Sequence, residues 1–263
     1  REGFQTTSQS SWQTLLAMFN TSSGPLADPI VRQAVAQGID YDGIIAALQG
    51  AATGMRGYVP PGLWGTSDAL PAYAFDPASA AELLGSKGYG PDGQKLELEL
   101  TYVKGDADEE IVATLMQSTL ADLNIDLQVR GLQWEAQWAK AQSEDTTERQ
   151  DILVFYWWPD YPDPISWFYS LFRTEDPPYF NLSYYANPAV DALMDEGSAL
   201  AATDKAAATE NYVALQQQLL EDLPAVSLYT QAYQRVLLDS VGGYVDNPAY
   251  PSAIFAYDLT PGT

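Results

Sequence analysis

Three apolar segments limit the fold of this chain more than any other feature: LELELTYV (96–103), IDLQVRGL (125–132) and DILVFYW (151–157). The first two are separated by a helical stretch from Asp108 to Leu123, and the next gap holds the helical "WEAQWAKAQ" from Trp134 and the polar loop "SEDTTERQ". A strand, helix, strand order of this kind makes the joined strands parallel. DILVFYW has the uninterrupted apolar character of a strand buried on both faces. The spacing therefore predicts an α/β architecture.

Helix starts reinforce that reading. An acid or amide followed by proline recurs at Asp28-Pro29, Asp76-Pro77, Asp163-Pro164 and Asn187-Pro188, each predicting an N-cap with proline at the first helical position. Gly88, in "SKGYG", is placed to end the helix that Asp76 opens. Thr203 is expected to cap a long helix through "DKAAATENYVALQQQLLEDL", and "AVSLYTQAYQRVLL" from Ala225 predicts a strand or strand pair. The closing "GGYVDNPAYPSAIFAYDLTPGT" shows little periodicity and reads as an extended tail that needs something to pack on.

With 263 residues and 46% hydrophobic content, the chain can form one large domain or two small ones with a real core. No apolar run reaches the ~18 residues that cross a bilayer. The start, Arg1-Glu2-Gly3, carries no signal-peptide pattern, so we expect that a targeting segment has been removed or that the chain is a piece of a longer protein. Lys and Arg number 12 against 35 Asp and Glu, a formal charge of −23 that repels nucleic-acid phosphates and anionic lipids. Cysteine and histidine are both absent, which removes thiolate nucleophiles, imidazole bases, disulfides and the commonest metal ligands.

Chemistry concentrates in "ILVFYWWPDYPDPISWFYSLF" (152–172), at the carboxyl end of a strand, where open α/β sheets collect ligands. Asp163 is accounted for as a helix cap. Asp160 has no such assignment, and the nearby helix N-terminus favours its negative charge. An ionised carboxylate walled by aromatic rings is a receptor for an ammonium or guanidinium, through charge-assisted hydrogen bonds and cation–π attraction of roughly 0.5–2 kcal/mol. The same rings suit the faces of sugars. Trp167, Phe168 and Leu171 read as the inward face of the helix, whereas Trp157, Trp158 and Asp160 read as ligand contacts. A carboxylate-based glycoside hydrolase would need two acids about 5–10 Å apart. Asp160 and Asp163 are near enough in sequence, but Asp163 is committed to capping and Pro162 constrains the pair. A third reading makes the aromatic loop a docking face for another protein.

The run "MFNTSSGPLADPIVRQAVAQGIDYDGIIAALQGAATGMRGYVPPGLWG", followed by "FDPASAAELLGSKGY", "NPAVDALMDEG" and "LPAVSLY", strongly resembles the peptide/nickel class of ABC-transporter extracellular solute-binding proteins, family 5. The resemblance runs in order over nearly the whole chain. It implies a class II periplasmic-binding-protein-like second lobe, a mixed sheet flanked by helices, in a non-catalytic two-lobed receptor about twice this length. Residues 1–30 would form a lead-in strand and hinge-proximal segment, 31–234 the second lobe, and 235–263 a return segment toward the first lobe, which this chain would lack. Such receptors work outside the cytoplasm, in the periplasm or tethered as lipoproteins, and deliver solute to a membrane permease without a cofactor.

In the peptide receptors of this family, an acid in a Trp-x-x-Asp loop holds the peptide amino terminus. The resemblance carries that role to Asp160, with Trp157, Trp158 and Tyr161 around it and Trp134 as a second pocket wall. Where the family uses a basic side chain for the peptide carboxylate, this sequence offers only Lys104, which reads as an ordinary solvated loop lysine ahead of an anchor. Arg32, in the Val31-Arg32-Gln33-Ala34 signature, is expected to be structural, tying its helix to neighbouring acids. Other family members carry nickel chelates, oligosaccharides or opines, and the aromatic stretch keeps an oligosaccharide ligand open.

Overall fold

The structure is a computed structural model that describes residues 3–250 and 253–262. In chain order its elements are β1 (Phe4–Phe19), α1 (Pro29–Gln37), α2 (Tyr41–Ala47), β2 (Ala52–Thr53), α3 (Pro77–Ser86), β3 (Leu96–Val103), α4 (Ala107–Ala121), β4 (Ile125–Leu132), α5 (Trp134–Ala141), β5 (Ile152–Trp157), α6 (Ile165–Phe172), α7 (Pro188–Ala201), α8 (Lys205–Asp222), β6 (Ala225–Leu238), β7 (Val241–Gly242) and β8 (Thr260–Pro261). Six strands form one mixed sheet in the order β2-β6-β1-β5-β3-β4, and β7 pairs with β8 apart from it.

As the spacing predicts, β3 runs parallel to both β4 and β5, each joined to the next by a helical crossover. β1 is antiparallel to β5 on one side and to β6 on the other. The run Leu15-Leu16-Ala17-Met18-Phe19 is buried on both faces of the sheet. Leu15, Ala17 and Phe19 point into a core shared with α1 to α4, and Leu16 and Met18 into one shared with α6, α7 and α8. A central strand covered on both sides loses the apolar–polar alternation of a surface strand, which is why this stretch is continuously apolar.

Helix starts agree with the proline pairs with two corrections. Asp28, Asp76 and Asn187 cap as expected. Asp163 also accepts a backbone amide, Ile165 N at 3.0 Å, but α6 begins one residue later than expected, with Pro164 in the cap position. The long helix α8 is capped by Asp204, whose carboxylate accepts from Ala206 N and Ala207 N, and not by Thr203. Arg32 also departs from expectation. Its guanidinium, in a residue 6% exposed, donates to the carbonyls of Leu26, Ala27, Asp222 and Leu223, and among the described residues it makes no ion pair with an acid. Orphan carbonyls at the end of α8 and in the turn before α1 need donors more than the acids need a cation.

The carboxyl ends of β3, β4 and β5 share one edge of the sheet with the start of β1 and the end of β6. Thr14 lies opposite Trp157, and from Ser10 back to Phe4 β1 pairs only with Ala232–Leu238 of β6. A bulge between Ser10 and Thr14 marks where this ribbon leaves the sheet. β6 is a single strand that crosses position 235. The following segment packs back on the lobe, with Pro248 O accepting Trp12 N at 2.7 Å and Asp246 holding Arg235 at 3.0 Å.

Candidate functional site

The topology carries every candidate residue to that one edge. Lys104 directly follows β3, Trp134 opens α5 after β4, and Trp157 closes β5 ahead of Trp158, Asp160 and Tyr161. In a parallel sheet this is the edge toward which the helices' N-termini point, the usual place for ligands in α/β folds.

Asp160 is exposed, and its loop is fastened through the backbone. Its N–H donates to Ser166 Oγ at 2.9 Å, and its carbonyl accepts from Tyr250 Oη at 3.0 Å. Two further contacts hold the loop from outside: Trp64 Nε1 donates to Pro162 O at 3.3 Å and Tyr212 Oη to Asp163 Oδ1 at 3.4 Å. Gly65 makes this approach possible, because a Cβ there would lie 2.6 Å from the Pro164 ring and its φ is +82°. The Trp64 segment is itself clamped by the fully buried Gln216, which accepts from Tyr58 N and Val59 N and donates to Gly65 O. The carboxylate of Asp160 therefore stands in solvent on a loop whose backbone is held from several directions.

Trp157 is half-buried, with its indole N–H buried and unpartnered, whereas Trp158 and Tyr161 are exposed. Burial, reinforced by the charges of Asp163 and Asp160, pushes the Tyr161 phenol above its usual pKa, so it stays a neutral donor beside the acid. Trp134 reaches Trp157 through rings that the sequence reading left out. It lies 4.7 Å from Trp138, which lies 5.7 Å from Phe180, which lies 5.3 Å from Trp157, all between ring centroids. Trp134 and Trp138 share a helix face at i and i+4, a spacing legible in "WEAQW". Phe180 has no such signal. Lys104 is exposed, with its backbone N–H paired to Leu132 O at 2.7 Å.

On the other face of the same edge lies a buried carboxyl. Glu109 is 2% exposed and accepts Val103 N at 2.7 Å. Burial, with a smaller push from the Asp106 charge, raises its pKa to about 8, so it holds its proton at neutral pH. Among the described residues no group of three or more His, Cys, Asp or Glu side chains is arranged to hold a metal ion, and no helix is long and apolar enough to cross a membrane.

Helical layers on both faces of this mixed sheet, with paired strands leaving at the ligand edge, make the chain the second lobe of a class II periplasmic-binding-protein fold. Solved structures share it. The ABC transporter-associated periplasmic binding protein DppA from Helicobacter pylori, in complex with peptide STSA, matches with a TM-score of 0.86 and 22% identity over 100% of this chain and 50% of its own. NikA from Brucella suis, in complex with Fe(III)-EDTA, matches with a TM-score of 0.83 and 25% identity over 99% of this chain and 53% of its own. The sequence profile described as bacterial extracellular solute-binding proteins, family 5 Middle, matches residues 1–178, and the chain belongs to that family. Among curated relatives, the probable D,D-dipeptide-binding periplasmic protein DdpA of Escherichia coli (strain K12) is 30% identical over 233 residues, 87% of this chain and 43% of its own length. Heme-binding protein A of Haemophilus influenzae is 26% identical over 247 residues, 93% of this chain and 43% of its own. The chain thus spans less than half the length of these two relatives.

Proposed function

We propose that the chain is half of a receptor that captures peptides outside the cytoplasm and delivers them to an ABC permease, with Asp160 holding the peptide amino terminus. The observation that carries this reading is an exposed carboxylate on a backbone-fastened loop, three residues beyond a half-buried tryptophan at the ligand edge of the sheet. Such a carboxylate pairs with an ammonium at little reorganisation cost, and a hydrogen bond to a charged group contributes about 1.5–3 kcal/mol. The ribbon of β1 and β6 leads to a first lobe, residues 31–234 form the second, and 235–263 returns from it. Closure of the lobes would shield the ion pair from water and strengthen it. Lys104, exposed directly after β3 at the same edge, is the candidate for the peptide carboxylate. The family's solute-binding character supports a receptor without catalysis.

The test is calorimetric titration of the two-lobed protein with di- to pentapeptides and, separately, with oligosaccharides, for wild type and Asp160→Asn. Peptide binding that weakens about tenfold or more in the variant supports the reading. Peptide binding indifferent to Asp160, or sugar binding alone, sinks it and leaves the exposed Trp158 and Trp134 as stacking surfaces for sugars.

A further inference from the structure

The loop that carries Asp160 runs between two prolines. Pro159 and Pro162 each lock their own φ near about −65°, and Pro162 also disfavours a helical conformation at Tyr161. The direction of the Asp160 side chain therefore rests on the torsions at Asp160 and Tyr161, on either side of one peptide group. That peptide group is held from outside the loop. Ser166 Oγ, on α6, accepts Asp160 N–H at 2.9 Å, and Tyr250 Oη donates to the Asp160 carbonyl at 3.0 Å. Ser166 belongs to the same crossover as the anchor, whereas Tyr250 comes from ninety residues later in the chain.

Tyr250 ends a short strap, residues 246–250, that is fastened along its length. Asp246, 6% exposed, accepts Arg235 Nε of β6 at 3.0 Å and Tyr244 Oη at 2.8 Å. Pro248 O accepts Trp12 N at 2.7 Å, at the bulge where the ribbon leaves the sheet. Asn247 makes a turn of the rest, its Oδ1 accepting Ala249 N at 2.8 Å and its carbonyl Tyr250 N at 3.2 Å, with Ala249 buried. Two residues of chain thus separate a bond to the bulge from a bond to the anchor. Tyr250 itself is 44% exposed, so little of the core depends on its ring.

We propose that Tyr250 is a positioning residue for the amine anchor: from the strap it holds the peptide group after Asp160, and through it the Asp160 carboxylate, in the direction that receives the peptide ammonium. The proposal rests on the amine-anchor reading above. Without the hydroxyl this peptide group is free to turn between the two prolines. The carboxylate must then be ordered at each binding event, a cost that a pre-set group avoids.

Calorimetric titration of the two-lobed protein with Ala-Ala-Ala, free and N-acetylated, tests it in wild type, Tyr250→Phe, Asp160→Asn and the double variant. Wild type should prefer the free amine about tenfold or more. Tyr250→Phe, which removes only the hydroxyl of an exposed ring, should lower that preference about fivefold by weakening the free peptide alone. In Asp160→Asn the preference should already be gone, and adding Tyr250→Phe should change affinity by less than about twofold. A preference kept in Tyr250→Phe and lost in Asp160→Asn overturns the positioning role and leaves the amine anchor standing. Equal weakening of both peptides by Tyr250→Phe, or a further fall in the double variant, overturns it too, since general loosening of the lobe does not tell an amine from an amide. A preference that survives Asp160→Asn, or binding of neither peptide to wild type, overturns the anchor and the positioning role together.

Discussion

Asp160 and Glu109 are two acids at the same edge with opposite surroundings. Asp160 is fastened through its backbone N–H and carbonyl, so Asp160→Asn is expected to change stability by no more than ~0.5 kcal/mol while weakening peptide binding by ~1.4–3 kcal/mol. Urea denaturation of the lobe and calorimetry of the two-lobed protein check the two halves of that statement. Glu109 is bound up in the fold, and its folded pKa of about 8 lies above its ordinary value of 4.5. Between those values the folded state keeps a proton that the unfolded state releases. The resulting stability is fully present below pH 4.5 and is lost as the pH climbs through about 8. Glu109→Gln keeps an acceptor for Val103 N–H and removes the titration. The wild-type urea midpoint, measured relative to this variant, should fall from pH 5 to pH 9, and a pH-independent difference would contradict the buried proton.

Among the elements, α8 is held at both ends by groups that sequence reading misassigned. At its start Asp204→Ala should cost about 1 kcal/mol and Thr203→Ala far less, by thermal or urea denaturation. At its end Leu223 adopts φ +51°, a conformation that strains a branched residue, and Arg32 bonds the carbonyls on either side of that turn. Arg32→Met should cost about 3 kcal/mol or more, because several buried carbonyls lose their donor, and Arg32→Lys should not rescue it, since one ammonium cannot span the fork. The parallel strands were legible because burial on both faces writes them as unbroken apolar runs. The outer half of β1, "FQTTSQSS", is polar and lies along β6, so its strand state comes from a partner more than two hundred residues away. The site divides in the same way. Trp157 and Asp160 stand three residues apart, at the end of β5 and in the loop after it, whereas Phe180 meets Trp157 only through folding.

For the whole molecule, charge and exposed apolar surface act against each other. At −23 the lobe repels itself, so its thermal midpoint should rise from 0.05 to 1 M NaCl as the Debye length shrinks from above ~10 Å to ~3 Å. Near the ribbon and tail, Phe4, Val236, Leu238, Ile254 and Tyr257 are between 47% and 100% exposed. The same added salt should therefore drive the isolated 263-residue chain from monomer to oligomer in light scattering. The ribbon itself has a further consequence. Two antiparallel strands joined by a continuous ladder twist readily but neither stretch nor coil up as a single flexible strand would. Two halves of a cleft joined in this way meet at an effective concentration far above that of free proteins in solution. In the two-lobed receptor proposed above, the translational and rotational entropy of bringing them together is spent once, during folding, and is not charged again at each capture of solute.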